Sequence, residues 1–197
     1  FGSSVAINES GSTVVVGAYQ SDGNGTNVDI GQVRVYRLQG GNWTQIGQAI
    51  EGENSGDLFG RSVDVNDAGD TIIIGANQND GVAQNAGHAR IYRFNGTAWN
   101  QLGGDLEGDA AGDFFGWDVS INGSGDTVAV SSQNNSNVNT EGGLVRIYAY
   151  NGIRWNKIGS DLYGDSDYAY FGYSIDLNQN GRYIAIGGYG KNANTGY

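Results

Sequence analysis

Val5 and Ile7 alternate with small or polar neighbours, a period-two pattern that gives a strand one apolar face. The pattern returns as Val63/Val65, Val119/Ile121 and Ile175/Leu177. Each alternation leads into a short turn, "NESG", "NDAG", "NGSG" or "NQNG". There an Asn can bond its own backbone and the closing Gly can take positive φ, as a bulged hairpin loop requires. A continuous apolar run follows: Val14 to Val16, Ile72 to Ile74, Val128 to Val130 and Ile184 to Ile186. Such runs predict strands buried on both faces. Three units continue into a third strand ("QVRVYRL", "HARIYRF", "LVRIYAY") and, past a tight turn, a fourth ("WTQIGQAI", "WNQLGGDL", "WNKIGSDL"). No 3.6-residue apolar period lasts long enough for a helix.

Phe-Gly pairs at 1, 59, 115 and 171 mark the repeat and divide the chain into units 1–58, 59–114, 115–170 and a partial 171–197. Four antiparallel strands per unit of this length are the signature of a propeller blade. A lone blade cannot bury both faces, so neighbours must stack. The expected fold is therefore all-β: one β-propeller segment of four-stranded antiparallel blades, three full and half of a fourth. A right-handed β-solenoid is the alternative, but its coils are usually shorter and lack this hairpin grammar. The fourth unit stops before its third strand, which predicts an unpaired edge that further chain or a second copy completes.

Composition narrows the function. Thirty-five Gly with no Pro suit many tight turns. A net charge of −11 argues against nucleic acid and against an anionic membrane surface. No stretch approaches the roughly 18 apolar residues of a membrane helix, so no membrane insertion is expected. Without Cys, neither disulfides nor thiolate metal sites can form. The chain opens on a repeat motif with no initiator Met, and a mature product or excised piece is expected.

The opening Phe-Gly, the "SVxxN" strand and the "GA" after the buried strand resemble the FG-GAP repeat. "GAP" persists only as Gly17-Ala18-Tyr19 and Gly75-Ala76-Asn77; Ser131-Ser132 and Gly187-Gly188 replace it later. The resemblance implies a propeller of about seven blades like that of integrin α subunits, outside the cell. Many such units carry a DxDxDGxxD calcium loop between their first two strands, where alternate carboxylates supply hard oxygens. Here that place holds only the short turns, so calcium is not inherited from the family and no cofactor is expected.

Candidate chemistry is sparse. His88 is the only His, read as a solvated strand edge, and no nucleophile elbow or paired metal ligands appear. Acidic residues that recur from unit to unit suit a scaffold better than one catalytic pair. The chain is accordingly expected not to be an enzyme. Asp57 and Asp113 precede Phe-Gly pairs, while Arg34, Arg90 and Arg146 recur in the third strand. These predict one Asp–Arg pair or carboxylate–backbone cap per blade; a calcium site from Glu53/Asp57 and Asp109/Asp113 is the alternative. Trp43, Trp99 and Trp155 open the fourth strands, as packing between blades or as sugar platforms.

The third linker, "YGDSDYAYFGY", breaks the pattern. Tyr163, Tyr168, Tyr170 and Tyr173 cluster there, with Tyr183, Tyr189 and Tyr197 following, and are the candidate interaction residues. Sequons at Asn8, Asn24, Asn42, Asn95, Asn122 and Asn134 are candidate glycosylation sites if the protein is eukaryotic and secreted. The expected function is an extracellular, non-enzymatic scaffold that docks other protein chains or the rest of its own propeller. A carbohydrate-binding propeller using the blade aromatics is the alternative, with glycans as partners.

Overall fold

The computed structural model describes residues 2–23 and 28–190. Four antiparallel sheets follow one another along the chain, with no helix among the described residues. The first sheet holds β1 (Ser4–Ile7), β2 (Thr13–Ala18), β3 (Gln32–Gln39), β4 (Asn42–Gln45) and β5 (Ile50–Glu51). β6 (Ser62–Val65), β7 (Thr71–Ala76), β8 (His88–Phe94), β9 (Trp99–Gln101) and β10 (Leu106–Glu107) form the second. β11 (Val119–Ile121), β12 (Thr127–Ser132), β13 (Leu144–Tyr150) and β14 (Trp155–Tyr163) form the third, and β15 (Ser174–Leu177) pairs β16 (Ile184–Gly187) in the fourth. The architecture is all-β, with sheets arranged as propeller blades.

The first hairpin of every unit is held by one Asn. The side-chain oxygen of Asn8 accepts from the Ser12 and Thr13 amides at 2.9 and 2.8 Å. Asn66, Asn122 and Asn178 repeat the arrangement with Asp70 and Thr71, Asp126 and Thr127, and Arg182 and Tyr183. Those bonds fix the turn, and with it which face of the first strand points inward.

The core lies between units. Val63 and Val65 of β6 pack with Val15, Val33 and Val35 of the first sheet. Val119 and Ile121 pack in the same way on Ile73, Ala89 and Ile91, and Ile175 and Leu177 on Ala129 and Val145. Each first strand thus completes the core of the unit before it. Val5 and Ile7, whose sheet has no preceding unit in this chain, are exposed. β7 is buried along its whole length and β12 nearly so, as their apolar runs predict; β2 alternates and β16 is only partly covered.

Phe59 and Phe115 are fully buried and form parallel bridges with Gly31 and Gly87 of the preceding unit. Phe171 bridges Gly143 in the same way, and Phe1 lies outside the described residues. In the first two units the fourth strand is interrupted at Gly47 and Gly103, which have φ of 69° and 81°. A Cβ there would stand 2.7 Å from the Trp99 ring and 2.8 Å from the Trp155 ring. The break makes room for the next unit's indole. Gly159 meets no such ring, and β14 runs unbroken.

Candidate functional site

One end of the blades is built from two positions per unit. Following each Phe-Gly pair come Ser3, Arg61, Trp117 and Tyr173; following each second strand come Tyr19, Asn77, Gln133 and Tyr189. One carbonyl fixes the first position in every unit. Gly75 O accepts from the amides of Gly60 and Arg61, Ser131 O from Gly116 and Trp117, and Gly187 O from Gly172 and Tyr173. Gly60, Gly116 and Gly172 have φ of 84–87°, a left-handed turn that the Gly of the pair makes cheaply. The scaffold is constant while the presented side chains differ, which is how rigid folds display binding groups.

These side chains form a continuous row. The Arg61 guanidinium lies 4.2 Å from the Trp117 ring centroid and 5.9 Å from that of Tyr19. Trp117 and Tyr173 are 6.0 Å apart, and Tyr189 stands edge-on to Tyr173 at 4.7 Å. Tyr189 stacks flat on Tyr170 at 4.7 Å, and Tyr170 lies 6.5 Å from Tyr168. The Tyr170 hydroxyl donates to Glu141 at 2.6 Å, which pushes its pKa up to about 12. Tyr168, Tyr173 and Tyr189 are each about half exposed. Of the predicted tyrosines, Tyr168, Tyr170, Tyr173 and Tyr189 therefore join this belt. Tyr163 does not: its half-buried hydroxyl donates to Asp161 at 3.3 Å. Tyr183 is exposed, and Tyr197 lies outside the described residues.

Beside Trp117 a groove of about 300 Å³ opens between the starts of the first strands, lined by Ser3, Arg61, Trp117, Asp118 and Tyr173 among others. Asp118 occupies a position held by Ser4, Ser62 and Ser174 elsewhere. Burial pushes its carboxyl up to about 6, although it accepts the Ile175 amide at 2.8 Å. Asp64, one strand away, is likewise raised by burial while accepting the Ile121 amide. Among the described residues Arg61 forms no ion pair. Tyr19, Arg61, Trp117 and Asp118 were not singled out from the sequence. Their signal is the pair after Phe-Gly, which reads SS, RS, WD and YS in successive units.

The linker carboxylates divide their roles. Asp57 caps the Asn54 amide and accepts from Asn79; Asp113 caps Asp109 and Ala110 and accepts from Asn135. The arginines pair elsewhere. Arg90 bonds Asp105 through two nitrogens at 2.9 and 2.6 Å and reaches Glu53 at 2.5 Å. Arg146 joins Asp161 and Asp109 in the same manner, and Arg34 bonds Gln32. The Asp–Arg expectation is thus corrected to other carboxylates, while the cap expectation describes Asp57 and Asp113. Each pair proposed for calcium is pulled toward two different partners.

His88 corrects a further expectation. It is 1 % exposed, with neither ring nitrogen hydrogen-bonded. Burial first, then the Arg90 charge, pushes its pKa down to about 4. It lies inside the sheet because β10 covers the start of β8, pairing Glu107 with His88. Ligand atoms of Glu53, His88 and Asp105 come within 4.8 Å of one another. The Arg90 guanidinium already bonds both carboxylates, so a fixed cation stands where a metal's charge would be.

Trp99 and Trp155 are buried, their indole nitrogens donating to Ile46 O and Leu102 O of the preceding unit, so neither offers a ring to sugar. Trp43 is 48 % exposed. Of the sequons, Asn8 and Asn122 are corrected: both amides are buried and engaged in the hairpin turn, with Nδ2 donating to Ser10 and Ser124. Asn42 and Asn95 are exposed and Asn134 half-buried; Asn24 lies outside the described residues.

Comparison with known proteins follows the same lines. No curated protein matches the chain. Among solved structures, the fold is similar to that of a candidate 6-phosphogluconolactonase from Bacteroides uniformis, with a TM-score of 0.60 and 10% identity. That match covers 98% of this chain and 52% of the other, so this chain spans about half its length. A periplasmic gluconolactonase from Pseudomonas aeruginosa gives a TM-score of 0.44 at 10% identity, over 94% and 64% of the two chains. At such identity the likeness shows a shared fold. It nevertheless corrects the expectation that the chain is not an enzyme. That expectation rested on a recurrent scaffold, and a protein named for lactonase activity is built on this architecture. Residues 48–92 match the family model of the FG-GAP repeat, in line with the Phe-Gly openings at 1, 59, 115 and 171.

Proposed function

We propose that the chain is a propeller scaffold that docks a cationic protein segment along its aromatic belt, outside the cell. The contiguous run Tyr168–Tyr170–Tyr189–Tyr173 carries this reading. Tyr and Trp are favoured at interface centres because each brings large, stiff contact area with a polar tip. An extended row suits a length of polypeptide better than a compact ligand. The charge of −11 makes a basic partner the complementary one, and Lys or Arg can lie on exposed ring faces.

The test is titration with an arginine-rich peptide and a glutamate-rich peptide of equal length. The basic peptide should bind, and a Tyr170→Ala/Tyr189→Ala double variant should bind about tenfold more weakly, a loss of about 1.4 kcal/mol. Because that variant leaves the formal charge at neutral pH unchanged, undiminished binding would mean general charge attraction and would overturn the belt. Preference for the acidic peptide would overturn the choice of partner.

A further inference from the structure

The groove beside Trp117 carries chemistry that the docking belt does not use. We infer that it binds one neutral, hydroxyl-bearing sugar ring, a pyranose unit of a saccharide. Trp117 and Tyr173 meet at 6.0 Å with their planes inclined by 41°, forming an aromatic corner at the groove wall. The C–H face of a pyranose packs on such rings, which supply apolar area without closing off the sugar's edge. A hydroxyl is both donor and acceptor, and the groove holds a partner for each role. The Asp118 carboxylate accepts, and Arg61 donates. Arg61 lies over the Trp117 ring at 4.2 Å and, among the described residues, no ion pair claims its N–H donors.

Size and charge narrow the class. A volume of about 300 Å³ lies at the small end of ligand sites, the scale of a single ring. Asp118 and a net charge of −11 disfavour an anionic sugar, while Arg61 disfavours a cationic one. Trp117 and Asp118 are not dictated by the repeat, since the other units hold Ser3-Ser4, Arg61-Ser62 and Tyr173-Ser174 at the same two positions. Tyr173 is shared with the docking belt, but Tyr170 and Tyr189 do not line the groove, so substituting those two separates the inference from peptide docking.

Calorimetric titration with glucose, galactose, mannose and their neutral oligomers, alongside glucuronic and galacturonic acids, tests it. At least one neutral sugar should bind, and should change tryptophan emission in a Trp43→Phe background. Trp117→Ala and Asp118→Asn should each weaken binding about tenfold or more, whereas Tyr170→Ala/Tyr189→Ala should leave it unchanged. Thermal melts establish that each variant folds, and Trp117→Phe, with a smaller loss, serves if Trp117→Ala does not. Absence of binding across the panel would overturn the inference. So would binding that survives both Trp117 and Asp118 substitutions, tighter binding of the acids, or loss in the Tyr170/Tyr189 variant.

Discussion

The indole nitrogen of Trp99 donates a 3.0 Å hydrogen bond to the carbonyl of Ile46, one repeat earlier in the chain. Trp155 does the same to Leu102 at 2.7 Å. Each ring sits over the glycine that interrupts the preceding fourth strand, and a polar bond closes an otherwise apolar joint. Stability is therefore written between units rather than within them. Trp99→Ala should cost about 3–5 kcal/mol, as truncation of a buried aromatic does. Trp43→Ala, at a half-exposed ring, should cost less than about 1 kcal/mol. Urea unfolding of both variants checks the contrast, and equal losses would refute it.

The strand order, the Asn-held hairpins and the role of Trp99 and Trp155 were legible because they depend on local spacing repeated at fixed phase. Partner choice was not. Arg90 meets Asp105 rather than Asp57 because antiparallel pairing sets Leu106 opposite Ala89, bringing Asp105 beside Arg90. The charges are visible in the chain, but that register is not. His88 was misread for a related reason: a two-residue strand, β10, covers it, and nothing in "HARIYRF" announces the cover. The row through Trp117 joins residues from four units, so no single repeat displays it.

Arg146 holds Asp109 of the preceding linker and Asp161 of its own sheet, with its side chain 10 % exposed. Removing the cation would leave two carboxylates facing one another. Arg146→Ala should cost about 1.5–3 kcal/mol, the loss of charge-assisted hydrogen bonds from a buried guanidinium, because Asp109 is half exposed and Asp161 keeps Lys157. The surface ion pair of Lys157 with Asp161 is different in kind. Lys157→Ala should cost about 0–1 kcal/mol, and less in high salt. Denaturant titration of the two variants at two ionic strengths reads both effects.

His88 should make the fold acid-sensitive. Its pKa falls from 6.5 to about 4 on folding, so between those values the unfolded chain binds a proton that the native chain refuses. The associated stability is full above about pH 6.5 and is lost as pH falls toward 4, by about 3 kcal/mol in total. Asp118 acts in the opposite sense: raised from 3.8 to about 6, it favours the native state as pH falls through that window. The two partly cancel in the native sequence. His88→Leu, which copies Leu144 of the next unit, should uncover the Asp118 term. The stability difference between variant and parent should grow as pH drops from 7 to 4.5. A pH-independent difference would show that His88 carries no linked proton.

Chelation provides a separate test of the linker carboxylates. Asp57 and Asp113 cap backbone amides, while Glu53 and Asp109 bond arginines, so no set of them is gathered for an ion. Only a ligand that binds the native state raises its stability. EDTA should leave the melting temperature where it was, and added calcium should not raise it. A fall of about ten degrees on chelation would reassign these carboxylates to metal binding.

The last prediction concerns the Gly of the "GA" pair. A Cβ on Gly75 would lie 2.1 Å from the Gly116 carbonyl oxygen, which passes there because the next unit's Phe-Gly turn docks against β7. Backbone cannot yield as a flexible side chain can, so the units would have to separate. Gly75→Ala should cost about 1–3 kcal/mol through overpacking, although alanine is otherwise the conservative choice. The third unit carries Ser131 at this position, its Oγ accepting the Asp118 amide at 3.0 Å, so that joint already accommodates a side chain. Ser131→Ala should then lose only that bond and the 3.3 Å bond its hydroxyl donates to the Asp118 carbonyl, about 0.5–1.5 kcal/mol each. Paired denaturation curves decide the matter: a Gly75→Ala protein as stable as its parent would show that the close approach of β7 to the next turn places no demand on the residue there.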